Sequence, residues 1–152
     1  ALSVVLYGVA TTAFLSTIVL FFQAILLSHG GLTTLGANCV SMGVVGPIAG
    51  LAFWVVCRKA KLSAPISLFV TAVVADLVTY VFTAIQMTLN HGQSIDALVA
   101  FLSNYAVTQI PLSIMEGILF FMFATYLVNS RPEVFEIADE IVDKYTKKEA
   151  AA

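Results

Sequence analysis

Charged side chains are scarce in this chain of 152 residues, of which 11% are charged and 60% are hydrophobic. A soluble domain usually carries about 25% charged residues, because water must solvate its surface. So small a charged fraction excludes an ordinary water-facing surface and favours one covered by lipid. No basic residue precedes Arg58, so the first part of the chain offers no electrostatic footprint for nucleic acid.

Residues that build disulfide frameworks or metal clusters are also few. The two cysteines, Cys39 and Cys57, lie at opposite ends of one apolar run, so no bridge between them is expected if that run is a helix. The two histidines, His29 and His91, cannot alone close a site of three or four ligands. Taken by themselves, His29 is either a hydrogen-bonded loop residue or a ligand, and His91 is a loop residue.

Sequence patterns that carry catalysis are missing as well. The chain has no Walker-type phosphate loop, no Gly-x-Ser-x-Gly elbow and no His-Glu-x-x-His motif. Nothing in the sequence therefore predicts an enzyme, and no motif of this chain predicts an ATP-hydrolysing site.

Long hydrophobic runs are what the chain does contain. Crossing about 30 Å of hydrocarbon takes roughly 20 helical residues. The runs that meet this length cover residues 2–28, 40–57, 65–89 and 96–128. Pro111 lies within the last run and predicts a kink or a short break near residues 109–111. The predicted fold class is all-α, a polytopic membrane helix bundle of about four transmembrane helices over residues 1–129.

The basic residues predict how this bundle is oriented. If the four spans alternate in direction, all seven Lys and Arg residues fall on one side of the membrane. Lys and Arg are enriched in cytoplasmic loops. We therefore expect a multi-pass protein of the cell (inner, or cytoplasmic) membrane with both termini in the cytoplasm, and residues 29–39 and 90–95 on the outer side.

The C-terminal segment, residues 130–152, has a different pattern. Its apolar residues fall on one helical stripe, formed by Val134, Ile137, Ala138, Ile141, Val142 and Tyr145. Its other side is mostly acidic. This pattern predicts a short cytoplasmic amphipathic helix. Because anionic lipid would repel the acidic side, a protein partner is the favoured target of this tail, and the membrane surface is the alternative.

Polar residues occur within the last two spans, although the bilayer makes them costly. They are Asp76, Tyr80 and Gln86 in the third span, and Gln109 and Glu116 in the fourth. At helical spacing, the two sets form polar faces that could meet in a seam. Two interpretations remain open: part of a substrate path, or interhelical hydrogen bonds that fix the packing.

One segment resembles a known family. FQAILLSHGGLTTLGANCVSMGVVGP, residues 22–47, closely resembles the CbiM/NikM family, the cobalt- and nickel-specific membrane subunits of energy-coupling-factor (ECF) transporters. ADLVTYVFTAIQ at 75–86, TQIPLSIMEG at 108–117 and NSRPEVF at 129–135 fit the same family. The resemblance covers residues 2–135.

The resemblance implies a substrate-capture subunit of an ECF-type importer. Such a subunit binds Co²⁺ or Ni²⁺ on the outer side as the transported substrate, with no covalently bound cofactor. A transmembrane coupling subunit and ATPase subunits drive release inward, a small accessory membrane subunit assists, and the cobalt branch supplies cobalamin biosynthesis. The resemblance makes His29 a candidate metal ligand, and it assigns Gly30, Gly31, Thr33, Thr34 and Asn38 to the wall of the metal pocket.

The sequence also departs from the family pattern. Family members begin with Met-His, whose nitrogens hold the ion, and carry a further histidine in a Ser-His-Pro-Thr-Gly-like loop. Neither feature occurs here, and no charged n-region of a signal peptide is present. The chain therefore resembles the last four spans of a seven-span fold, and alone we expect it to bind cobalt poorly.

Two alternatives remain open beside this hypothesis. One is a non-catalytic membrane scaffold or assembly subunit, whose polar helix faces only pack and whose tail docks a cytoplasmic partner. The other, less favoured, is a small membrane enzyme that uses Asp76 and Glu116.

Overall fold

The computed structural model describes residues 1–27, 31–91 and 93–150, with side chains described as far as Asp143. The described elements, in order, are α1 (Leu2–Leu26), α2 (Leu35–Val40), a π-helical turn (Ser41–Val45), α3 (Gly46–Lys59), α4 (Ala64–Asn90), α5 (Ile95–Ser130) and α6 (Glu133–Ala150). The α2 helix, the π turn and α3 run on without interruption as one helix of 25 residues.

Four described helices are long and apolar enough to cross a membrane, namely Leu2–Leu26, Leu35–Lys59, Ala64–Asn90 and Ile95–Ser130. The predicted all-α membrane bundle is thereby confirmed. The described part of the chain has α4 at its centre, with α5 on one side and α3 on the other, while α1 packs on α3 and the π turn.

Small residues allow α4 to approach its neighbours closely. A Cβ atom added to Gly50 of α3 would lie 3.1 Å from the Cβ of Ala75. One added to Gly117 of α5 would lie 2.7 Å from Val73 Cγ2. These glycines therefore set the distance between α4 and both flanking helices.

Two local features differ from the sequence prediction. The first span is not a continuous helix, because Gly8 has φ 78° and ψ 178°, a backbone conformation open to glycine but not to residues with a Cβ. Of the kink or short break predicted near Pro111, the break does not occur, because α5 continues through this residue, and the kink stays a prediction. The missing N–H of a proline removes one helical hydrogen bond, which the rest of this long helix tolerates.

The bundle has two chemically different ends. We call the end with the α3–α4 turn and α6 the basic end, since Arg58, Lys59, Lys61 and Arg131 all lie there. The opposite end, with residues 31–34 and the α4–α5 turn, is called the loop end. Both cysteines, Cys39 and Cys57, are free.

The apolar core of the described residues lies at the basic end. It is formed by Val4, Val5, Leu51, Trp54, Ala64, Leu68, Ala124, Phe135, Ala138 and Val142. Three of these residues, Phe135, Ala138 and Val142, belong to α6. Ala138 and Val142 belong to the predicted apolar stripe, which therefore packs on this chain's own spans through these two residues, and for them the assignment to a partner is wrong; Phe135 lies outside the predicted stripe.

Candidate functional site

The first part of the site is the segment 31–38 at the loop end. His29 and Gly30, the start of the predicted metal-pocket wall, lie outside the described residues. Gly31 adopts a φ of 69°, which glycine accommodates without strain. Its carbonyl accepts a 3.5 Å hydrogen bond from the Thr34 hydroxyl. Thr33 and Thr34 are exposed and Asn38 is half-buried.

This segment is held to the bundle by Gln86 of α4. The Gln86 side-chain amide donates a 3.3 Å hydrogen bond to the backbone carbonyl of Ala37. The backbone N–H of Asn38 donates to the carbonyl of Thr34 at 2.9 Å, which closes the first turn of α2. Gln86 thus acts as an anchor of the loop-end segment, the packing role that the sequence left open.

The π turn joins this segment to the centre of the bundle. The Thr79 hydroxyl donates to the carbonyl of Ala75 at 2.8 Å and also reaches the carbonyl of Ser41 at 3.4 Å. A Cβ atom added to Gly46 would overlap the same hydroxyl. Turns of this kind occur frequently at functional sites, because they shift side chains relative to a regular helix.

An open cleft of about 390 Å³ lies beside the π turn. Its walls come from α1, the π turn, α3 and α4, with one residue from α5. The polar residues that line it are Ser3, Thr12, Ser16, Gln23, Asp76, Thr79 and Glu116. The remaining lining is mostly apolar or small. The structure therefore brings both intramembrane carboxylates of the sequence prediction to one cleft.

Asp76 is the most unusual residue of this cleft. One of its carboxylate oxygens, Oδ2, is buried and has no hydrogen-bond partner among the described residues. Glu116, in contrast, is exposed. A carboxylate oxygen without a donor is costly within a membrane. Chemically, it can accept a proton or a hydrogen bond, or attract a cation that enters the cleft.

Gln109 resembles Asp76 in this respect, since its buried side-chain oxygen Oε1 also has no described hydrogen-bond partner.

Tyr80 belongs to a row of rings between α4 and α5. Its ring centroid lies 6.1 Å from that of Tyr105, which lies 6.5 Å from that of Phe101. His91 continues the row toward the loop end, at 6.1 Å from Phe101.

Sequence reasoning missed part of the cleft. Thr12 donates to the carbonyl of Gly8 at 2.8 Å and lies 2.8 Å from the Ser3 hydroxyl, so both line the break in α1. Gln23 carries the only side-chain amide within α1, and that isolation is a signal that could have identified it. Thr79 gives no such signal, because hydroxyl residues are common in membrane helices.

A metal ligand set can be searched for only among the described residues. Within them, no three His, Cys, Asp or Glu side chains lie close enough together to hold one ion. His29 is outside this search. The described part of the site thus consists of a loop-end segment, a supporting π turn and a polar cleft.

Comparison with known proteins places this architecture in a family. The family model described as "Cobalt uptake substrate-specific transmembrane region" matches residues 1–134. A "Putative cobalt transport protein CbiM 2" of Methanocorpusculum labreanum is 45% identical over 151 residues, 97% of this chain and 65% of that protein. A "Cobalt transport protein CbiM" of Limosilactobacillus reuteri is 52% identical over 122 residues, 78% of this chain and 49% of that protein.

The chain thus spans between about half and two thirds of the length of these relatives. The family match extends over all four membrane-spanning helices and the link to α6. This chain belongs to the CbiM family of cobalt-uptake transmembrane proteins.

Proposed function

We propose that this chain forms part of the substrate-capture subunit of an ECF-type importer for cobalt ions, which supplies cobalamin biosynthesis. The observation that carries the proposal is the cobalt-uptake family match over residues 1–134. Co²⁺ is the transported substrate, and Ni²⁺ is the alternative ion. The subunit itself captures the ion and performs no catalysis.

The distribution of charge supports an orientation for this subunit. Arg58, Lys59, Lys61 and Arg131 lie together at the basic end. We assign this end, with α6, to the cytoplasm, because basic residues concentrate on that side of membranes. The loop end then faces outward, where a capture subunit meets its ion.

Within this orientation, the metal pocket is assigned to the loop end. His29 is the proposed ligand in this chain, since an imidazole nitrogen is a preferred donor to divalent transition metals. Gly30, Gly31, Thr33, Thr34 and Asn38 form the adjoining wall. The hydrogen bond from Gln86 to Ala37 supports this wall, and the support of a ligand by surrounding groups commonly affects metal affinity.

The cleft is the proposed continuation of the pocket toward the membrane interior. Asp76 and Glu116 line it, and carboxylates placed within a membrane often mark ion pathways. Tyr80 and Gln109 belong to the same polar region between α4 and α5.

The proposed partners are a transmembrane coupling subunit, ATPase subunits and a small accessory membrane subunit, all within or against the lipid bilayer. One relative supports an association of this kind. A "Putative fused cobalt transport protein CbiMQ" of Methanocorpusculum labreanum is 38% identical over 152 residues, which amount to 25% of that protein. ATP hydrolysis would take place in partner subunits, because this chain has no phosphate-binding loop.

Uptake of radioactive cobalt tests the function, in cells that express the chain in its full natural sequence together with its partner subunits. We expect His29→Ala to lower uptake roughly 10- to 100-fold, the usual effect of disturbing a metal site. His91→Ala is the matched control, because His91 is the other histidine of the chain and its Nδ1 lies 3.1 Å from the carbonyl of Met87. Its uptake should be unchanged.

Two results would refute the proposal. One is equal uptake by the His29→Ala and His91→Ala proteins. The other is affinity purification that brings down an unrelated protein but no ATPase and no coupling subunit, which would instead identify a membrane scaffold.

A further inference from the structure

Arg58 connects three elements at the basic end. Its Nε donates to Asp139 Oδ1 at 2.8 Å and its Nη2 donates to Asp139 Oδ2 at 2.6 Å. Its Nη1 donates to the carbonyl of Leu62 at 2.8 Å, in the α3–α4 turn. Such a two-bond pairing of guanidinium and carboxylate is both strong and specific in geometry. One side chain of α3 thereby fixes the turn and α6.

The same guanidinium covers Trp54. Its Cζ lies 5.6 Å from the centroid of the Trp54 ring. Phe135 of α6 stacks on this ring, with centroids 6.3 Å apart and planes inclined by 25°. Phe135 and Asp139 are four residues apart, so one face of α6 offers an aromatic ring and a carboxylate to the Trp54–Arg58 pair.

Two features oppose this closed arrangement. Trp54 is fully buried and its Nε1–H has no acceptor among the described residues, which offsets part of the gain from stacking. Asp139 also has acidic neighbours at helical spacing, Glu136 and Asp143, whose charges repel it. The Arg58–Asp139 pair offsets both features, and it acts together with the apolar packing of Phe135, Ala138 and Val142.

The geometry around α6 also allows this helix to move relative to the membrane-spanning helices. α6 follows α5 through a short link, Arg131 and Pro132, in which the backbone leaves the helical conformation. The side chain of Asp139 is 42% exposed and that of Arg58 is 23% exposed. Water and ions therefore reach the pair and screen it, as they do not in a sealed core.

We propose that α6 is a releasable strap that covers Trp54 and is held closed by the Arg58–Asp139 pair. Release turns α6 about the Arg131–Pro132 link. This movement exposes the Trp54 ring beside the guanidinium of Arg58, which has then lost its partner Asp139, at the basic end of the bundle. The open site has the chemistry to receive another helix that offers an aromatic side chain and a carboxylate four residues apart, in place of Phe135 and Asp139.

Trp54 is the only tryptophan of this chain and reports directly on the strap. The experiment uses the protein in its natural sequence in detergent, with any tryptophan outside these residues replaced by Phe. Acrylamide quenching and the emission maximum are measured from about 0.1 M to about 1 M NaCl, where the screening length falls from about 10 Å to about 3 Å. We expect quenching to rise and emission to shift to the red as salt increases.

Asp139→Asn and Arg58→Gln remove the pair, and should raise the open fraction roughly tenfold already at low salt. Asp96→Asn is the control, because it removes the same charge as Asp139→Asn from the exposed first turn of α5, at the opposite end of the bundle. It should behave like the unchanged protein. The exchange of both charges in Arg58→Asp/Asp139→Arg should restore low quenching.

If Arg58→Gln does not fold, as judged by gel filtration and circular dichroism, the substitution Asp139→Asn at the half-buried partner decides. Quenching in Asp139→Asn that equals that of Asp96→Asn at every salt concentration would overturn the proposal. In that case α6 is a fixed part of the bundle.

Discussion

Two regions of this bundle use their side chains in opposite ways. At the basic end, residues from α1, α3, α4, α5 and α6 share one apolar core, and Arg58 and Asp139 neutralise each other at 2.6 Å. Around the middle of the bundle, a cleft of about 390 Å³ separates the helices, and Asp76 and Gln109 keep buried oxygens without described partners. The comparison teaches that the basic end stabilises the fold, whereas the cleft region retains polar groups that can bind.

The largest effect is expected at the basic end. Trp54→Ala removes a fully buried ring from the core and should lower the free energy of unfolding by about 3–5 kcal/mol. Phe53→Ala is the neighbouring control, because Phe53 is 44% exposed, and it should cost less than about 1 kcal/mol. Thermal unfolding in detergent compares the two. Equal losses would show that the core does not depend on this end of α3.

A smaller effect is expected where α3 meets α4 at the cleft. A Cβ in Gly46→Ala would overlap the Thr79 hydroxyl and lie 3.1 Å from the carbonyl of Ala75. The strain should cost about 1–3 kcal/mol in the same unfolding experiment. At Gly36 an added Cβ meets nothing within 4 Å, so Gly36→Ala should be neutral or stabilise α2 by up to about 1 kcal/mol. Destabilisation by both substitutions would contradict the close contact.

The smallest effect on stability is expected at Asp76 in the cleft. Unlike the two effects above, it should be an increase in the free energy of unfolding. Asp76→Asn removes a buried charge that lacks a described partner, so the free energy of unfolding should rise by up to about 1 kcal/mol. Cobalt uptake by the assembled transporter should nevertheless fall. The control is Asp96→Asn, in the exposed first turn of α5, which should cost only about 0.3–1 kcal/mol through the helix dipole and leave uptake unchanged.

A loss of stability in Asp76→Asn would mean that its carboxylate holds the helices together. Unchanged uptake would remove the cleft from the proposed ion path. Either result would erase the contrast between the two regions of the bundle.

Much of the fold is predictable because hydrophobic length alone identifies membrane spans. The third span was predicted for 65–89 and occupies Ala64–Asn90. The second was predicted to begin at 40 but begins at Leu35, because Gly36 and Asn38 are typical of loops. The break at Gly8 and the π turn escaped prediction, since each depends on local backbone geometry that leaves the hydrophobic pattern unchanged.

The tail shows a different limit of sequence reasoning. Its helical period identified a stripe that contains the buried Ala138 and Val142 but also the exposed Ile137, and it left out the buried Phe135. A period also does not reveal what covers the stripe. Trp54 stacks on Phe135, and the two are distant in the sequence.

In the candidate site, the sequence predicts only those residues whose type is rare in membrane spans. Asp76 and Glu116 were found because carboxylates stand out in apolar spans, and the structure places both at one cleft. Thr12 and Thr79 were not found, because each hydroxyl bonds the carbonyl four residues earlier in its own helix. That bond is ordinary for threonine in a helix, and it conceals the position of the residue on the cleft wall.

The π turn places one more residue in the second span than a regular α-helix would need at this point. Ser41 and Gly46 both meet Thr79, although they are five residues apart where a regular helix would need four. Loss of one residue from 41–45 would let the chain close into an ordinary helix with both flanks still in phase against α4. The same loss within 46–57 would turn Arg58 by about 100° away from its present neighbours. Tolerance of length changes in this span is therefore confined to a single turn.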